Sequence, residues 1–134
     1  MTLALDTTAI LGRFVSGAHR RVVLDAMGAD ADWCASAVAL TEALALVDRI
    51  TENPVERDRL RRALRDDWER IHVVPVDQPC LDRAAELSRL QPLRTVDALH
   101  LAAADRLPRP VRFATFDPRQ IPVAQALGFE VVSR

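Results

Sequence analysis

Short apolar runs alternate with helical patterns along the whole chain, and this alternation leaves few architectures open. LALD (residues 3–6) reads as a strand closed by an acid, and TTAILGRF follows it with helical spacing. VVLDAM (22–27) reads as a helix ending at Gly28. WCASAV (33–38) suits a short buried strand, followed by an apolar helix through Ile50 that Pro54 stops. Residues 55–70 predict a charged amphipathic helix with Val55, Leu60, Ala63, Leu64 and Trp68 on roughly one face. IHVVPV (71–76) has the continuous apolar core of a strand buried on both faces. Residues 80–90 form a helix, and Pro92 separates it from another over Val96–Arg106. VRFATF (111–116) is a strand, Pro118–Leu127 contains a short helix ending at Gly128, and FEVV (129–132) is the last strand. Strands separated by helices predict an α/β fold, a central parallel β-sheet flanked by helices on both sides. With 134 residues and no repeat or linker, one domain over 1–134 is expected.

Several classes are excluded. No apolar run approaches the roughly 18–20 residues that span a bilayer. The start, MTLALDTTAIL, has no basic region and carries Asp6 within its apolar stretch, so no signal peptide is expected there. The expected location is the cytoplasm, with no membrane partner. Cys34 and Cys80 sit among apolar neighbours in no metal-ligand spacing and read as reduced, buried small hydrophobes. All 18 basic residues are arginine, which excludes any mechanism that needs a lysine. The net charge of −1 lends no support to a nucleic-acid substrate.

The informative residues are acids in apolar company. Of 19 acidic residues, Asp30, Asp32, Glu56, Asp58, Asp66, Asp67 and Glu69 lie among polar neighbours and read as solvated surface. Asp6 closes the first strand and Asp117 closes VRFATF, each just before a helix. Both suit helix N-caps. Both also lie where strand carboxyl ends open onto the ligand-binding edge of a parallel sheet. Glu42 lies in AVALTEALALV, a helix that reads as buried almost all round, so it needs a cation or an arginine partner. Asp97 heads TVDALHLAAA, where it either complements the helix dipole or joins the other acids. Carboxylates gathered on one edge repel unless a cation neutralises them, and a hard divalent ion such as Mg²⁺ or Mn²⁺ suits oxygen ligands. His19, His72 and His100 are dispersed, which argues against zinc. His100 shares a helix face with Asp97, either as a packed core residue or as a contact to Asp97 or a substrate phosphate.

LDTTAIL, ALTEAL, TVDALHLAAA and TFDPRQIPVAQALGFEVV, in this order, resemble the PIN-domain ribonucleases, and most closely VapC-type toxins. The resemblance spans nearly the whole chain, with residues 51–92 adding little. By position, the family's acidic quartet corresponds to Asp6, Glu42, Asp97 and Asp117, and TFD places Thr115 as the hydroxyl beside the metal. The resemblance implies a Mg²⁺- or Mn²⁺-dependent endoribonuclease acting on RNA, a VapB-type antitoxin as partner, and a homodimer. Arg13, Arg94 and Arg119, each near a quartet acid in sequence, are candidates to position phosphate. A haloacid-dehalogenase-like phosphatase needs an Asp-x-Asp pair, and Thr8 fills the second place. A receiver domain needs a lysine. A catalytically silent RNA-binding or scaffold PIN domain and a PIN-related DNA nuclease remain as alternatives.

Overall fold

The computed structural model describes residues 1–15 and 17–133. Five parallel strands lie in the order β3-β2-β1-β4-β5. They are β1 (Thr2–Leu5), β2 (Asp32–Ser36), β3 (His72–Val74), β4 (Val111–Ala114) and β5 (Glu130–Val132). Between them run α1 (Thr7–Gly12), α2 (Ala18–Ala29), α3 (Ala39–Ile50), α4 (Pro54–Trp68), α5 (Gln78–Leu90), α6 (Thr95–Asp105) and α7 (Ile121–Ala126). The expected central parallel sheet with helices on both faces is present.

Strand alternation divides the core in two. Leu3, Leu5, Ala35, Ala114 and Val132 pack with α1–α4. Ala4, Cys34, Val74 and Phe113 point the other way and pack with α5–α7. Cys34 and Cys80 are both free and buried in this second layer, as small hydrophobes. The central strand β1 pairs with β2 through Leu3↔Trp33 and with β4 through Leu3↔Arg112. Asp6 at its end thus comes beside the residues that follow β4.

Several expectations are corrected. The helix of VVLDAM continues through Gly28 to Ala29. Pro54 opens α4, with Asn53 as the cap, because a proline at the first helical position loses no hydrogen bond. Leu60 and Leu64 are buried on α4, whereas Val55 is 77% exposed and contributes nothing to that face. IHVVPV forms an edge strand with His72 and Val73 exposed, so it is not buried on both faces. Asp67 is buried rather than solvated, gripped by Arg13 Nη1 at 3.0 Å and Arg70 Nη2 at 2.7 Å. Asp30 is likewise largely covered, beside Arg112 Nη1 at 3.0 Å. Local polarity misplaced both acids, because their arginines come from distant segments or the next turn.

Candidate functional site

Asp6 ends β1 and caps α1. Its Oδ1 accepts from the Ala9 amide at 2.8 Å and Thr8 Oγ1 at 2.7 Å. Its Oδ2 accepts from Thr115 Oγ1 at 2.6 Å. Asp6 is therefore an N-cap in the ordinary sense, yet one carboxylate oxygen turns to the neighbouring strand. It has no exposed surface, and burial pushes its pKa up against the charge of His100 and the hydrogen bonds of Thr115, Thr8 and Ala9. Thr115 Oγ1 also accepts from the Asp117 amide at 3.1 Å, so this hydroxyl ties Asp6 to the segment that carries Asp117.

Asp97 stands in the first turn of α6 and is 1% exposed. Arg94 grips it with Nε to Oδ2 at 3.0 Å and Nη2 to Oδ1 at 2.9 Å. Gln120 Nε2 adds a bond of 3.0 Å to Oδ1. Burial raises the Asp97 pKa, but the Arg94 bonds and charge outweigh it, leaving the carboxyl below its ordinary value. Asp117 does not close a strand directly. β4 ends at Ala114, and Asp117 heads a turn before α7, where its Oδ1 accepts from the Arg119 amide at 3.0 Å. Arg94 Nη2 reaches Asp117 Oδ2 at 3.4 Å, so one guanidinium joins Asp97 and Asp117.

Glu42 departs from expectation. α3 is not buried all round: Ala39, Ala43 and Val47 form its inner stripe, and the Glu42 side chain keeps 25% of its surface. Its partner is not an arginine but His100, with Nε2 3.2 Å from Oε1. The same nitrogen lies 3.0 Å from Thr7 Oγ1. His100 thus serves Glu42 and Thr7 rather than Asp97, and its buried Nδ1 has no partner among the described residues. The His100 hydrogen bond, against burial and with help from Thr7 and Arg94, holds the Glu42 pKa low.

Arg94 and Arg119 lie on the quartet acids, whereas Arg13 is spent on Asp67. Gln120, 1% exposed and bonded to Asp97, is a site residue the sequence analysis missed. Nothing in ATFDPRQIPV distinguishes it from a surface amide.

The four acids gather in three groups: Asp6 with Thr115, Asp97 and Asp117 on Arg94, and Glu42 on His100. Among the described residues, no three carboxylate, His or Cys side chains stand close enough together to hold a metal ion. The donor chemistry nevertheless fits a hard cation, because every donor is a carboxylate or hydroxyl oxygen. The charge demand is visible as well, since the Arg94 guanidinium already serves as counter-cation to two buried carboxylates.

The model of the PIN domain matches residues 3–126. The chain belongs to the PIN-domain family. No curated protein matches it. Solved structures share its fold across nearly the full length. A toxin–antitoxin complex from Klebsiella pneumoniae aligns with TM-score 0.70 at 19% identity, covering 99% of this chain and 97% of that one. The VapBC2 complex from Rickettsia felis, bound to a DNA fragment from its promoter, aligns with TM-score 0.70 at 14% identity, covering 98% of each chain. VapBC-5 of Mycobacterium tuberculosis aligns with TM-score 0.67 at 19% identity, covering 99% and 98%. No helix of this PIN domain, among the described residues, is long and apolar enough to cross a membrane.

Proposed function

We propose that this PIN domain is a metal-dependent endoribonuclease and the toxin component of a VapBC-type toxin–antitoxin module. The observation that carries the reading is a set of buried carboxylates at the carboxyl edge of β1 and β4, two of them sharing one guanidinium. The complexes that share the fold support an antitoxin partner of the VapB type. A homodimer and a cytoplasmic location belong to the same reading, as does one PIN domain spanning residues 1–134.

Asp6, Asp97 and Asp117, with Glu42, would hold Mg²⁺ or Mn²⁺. Such an ion, when bound, polarises a scissile phosphate and lowers the pKa of a water. Thr115 holds Asp6 in one rotamer by donating to Oδ2 and orients the Asp117 segment through its amide. Glu42, kept ionised by His100, accepts a proton from the attacking water. Arg94 and Arg119 spend their forked donors on Asp97 and Asp117, and an ion on those carboxylates would release the forks toward a phosphate. The products of such hydrolysis carry a 5′-phosphate and a 3′-hydroxyl.

The Arg94 fork between Asp97 and Asp117 also favours a second reading, in which the acids are structural ion pairs and the domain binds RNA silently. Incubating purified protein with RNA and Mn²⁺ separates the two. Cleavage that EDTA abolishes supports the enzyme, and intact RNA supports the silent domain.

Glu42→Gln gives a finer test. Glutamine still accepts from His100 but takes no proton, so cleavage is expected to fall on the order of a hundredfold or more. Stability should fall by no more than about 1–2 kcal/mol, because a neutral hydrogen bond replaces one made by a carboxylate at a partly exposed position. Parallel rate and melting measurements on one preparation check both. Normal cleavage by a folded Glu42→Gln protein removes Glu42 from the reaction.

A further inference from the structure

A cavity of about 260 Å³ opens at Glu42, lined by Thr7, Thr8, Leu46, Arg49 and Arg94. Glu42, Leu46 and Arg49 are four and then three residues apart on α3, which puts them along one face. Arg49 stands about 10 Å along the helix axis from Glu42, from the ordinary rise per residue. The two arginines differ in what they are free to do. Arg94 is committed to Asp97 and Asp117. Arg49 is exposed and makes no ion pair among the described residues. Its neighbour Asp48 is already held by Arg57 and Arg61.

We propose that this cavity is a subsite for single-stranded RNA, in which Arg49 binds the backbone phosphate of a nucleotide next to the one that is cut. The proposal rests on the reading of the domain as a ribonuclease. A guanidinium with its donors unspent takes a phosphate bidentately. Leu46 offers an apolar flank to a sugar or base, and Thr7 and Thr8 supply hydroxyls nearby. A cavity this small takes one nucleotide of a single strand, not the width of a duplex. The near-neutral chain needs no basic surface for this, because the free charge stands beside the candidate site.

The test titrates a fluorescein-labelled single-stranded RNA of mixed sequence into Asp6→Asn protein, alone and combined with Arg49→Gln. Arg109→Gln is the control, an exposed arginine that precedes β4 at the opposite edge of the sheet. Between about 50 and 200 mM salt, losing one phosphate contact should make the slope of log affinity against log salt shallower by about 0.7. Arg49→Gln is expected to do this and to weaken binding about five- to tenfold at the low-salt end, with no change of melting temperature. Arg109→Gln should leave the slope unchanged. An Arg49→Gln slope equal to that of its parent overturns the subsite, and wild-type cleavage with Mn²⁺ would leave the ribonuclease reading standing. A wild type that neither cuts nor binds RNA overturns both. An equal Arg49-dependent loss with a polyglutamate peptide overturns the assignment to RNA.

Discussion

Asp6→Asn is expected to reduce metal-dependent RNA cleavage on the order of a thousandfold, while the metal-free protein melts at the same temperature or higher. Asparagine keeps the oxygen that accepts from Ala9 and Thr8, and loses a charge that is fully buried. The sign follows from the raised pKa. A carboxyl whose folded-state pKa lies above its unfolded value contributes stability that is complete below the unfolded value and lost as pH rises through the folded one. At neutral pH the wild type therefore carries a penalty that the variant lacks. Melting curves without metal should separate the two proteins near neutrality and bring them together in acid. A variant that melts several degrees lower at neutral pH would show Asp6 to be ionised and structurally required. A variant that still cleaves RNA normally would remove it from the centre.

Arg94→Gln should move stability and metal affinity in opposite directions. Without metal, Asp97 and Asp117 lose their shared cation, and the fold is expected to lose about 1–3 kcal/mol. The lower part of that range is the better guide, because the Arg94 side chain is 54% exposed and solvent screens its charge. With metal, the ion no longer competes with a guanidinium. For the wild type, an ion at about a hundred times its Kd adds about 2.7 kcal/mol. The variant should bind about tenfold more tightly and gain more at equal concentration. Thermal scans with and without Mn²⁺, together with calorimetric titration, read both effects. A metal-induced shift no larger than in the wild type would show that Arg94 and the ion do not share the acids.

The fold was legible because it depends on period. Alternating apolar runs and helical spacing placed all five strands, and the acids at the end of β1 and in the first turn of α6 stood out by their apolar neighbours. What the sequence hid are pairings between side chains far apart in the chain. Glu42 was expected to need a cation or an arginine, and its partner came from α6 as His100. Asp67 looked solvated because its own helix is charged, although Arg13 reaches it from beyond α1. Gln120 gave no signal, since an amide is ordinary in a turn until a buried carboxylate faces it. The β3 run read as a central strand because apolar composition says nothing about which strand lies at the edge.

The placement of β1 has a consequence for how the protein is made. This strand is synthesised first but lies in the middle of the sheet, and its partner on one side, β4, begins at Val111. Asp6 receives the Thr115 hydroxyl only when that late segment docks. At ordinary elongation rates, roughly 5–20 s separate the synthesis of the two residues. Throughout that interval the growing chain has no fourth strand, no Asp117 and no closed carboxyl edge around Asp6. On the ribonuclease reading proposed above, the nascent chain therefore lacks its full set of acids until these late residues are made.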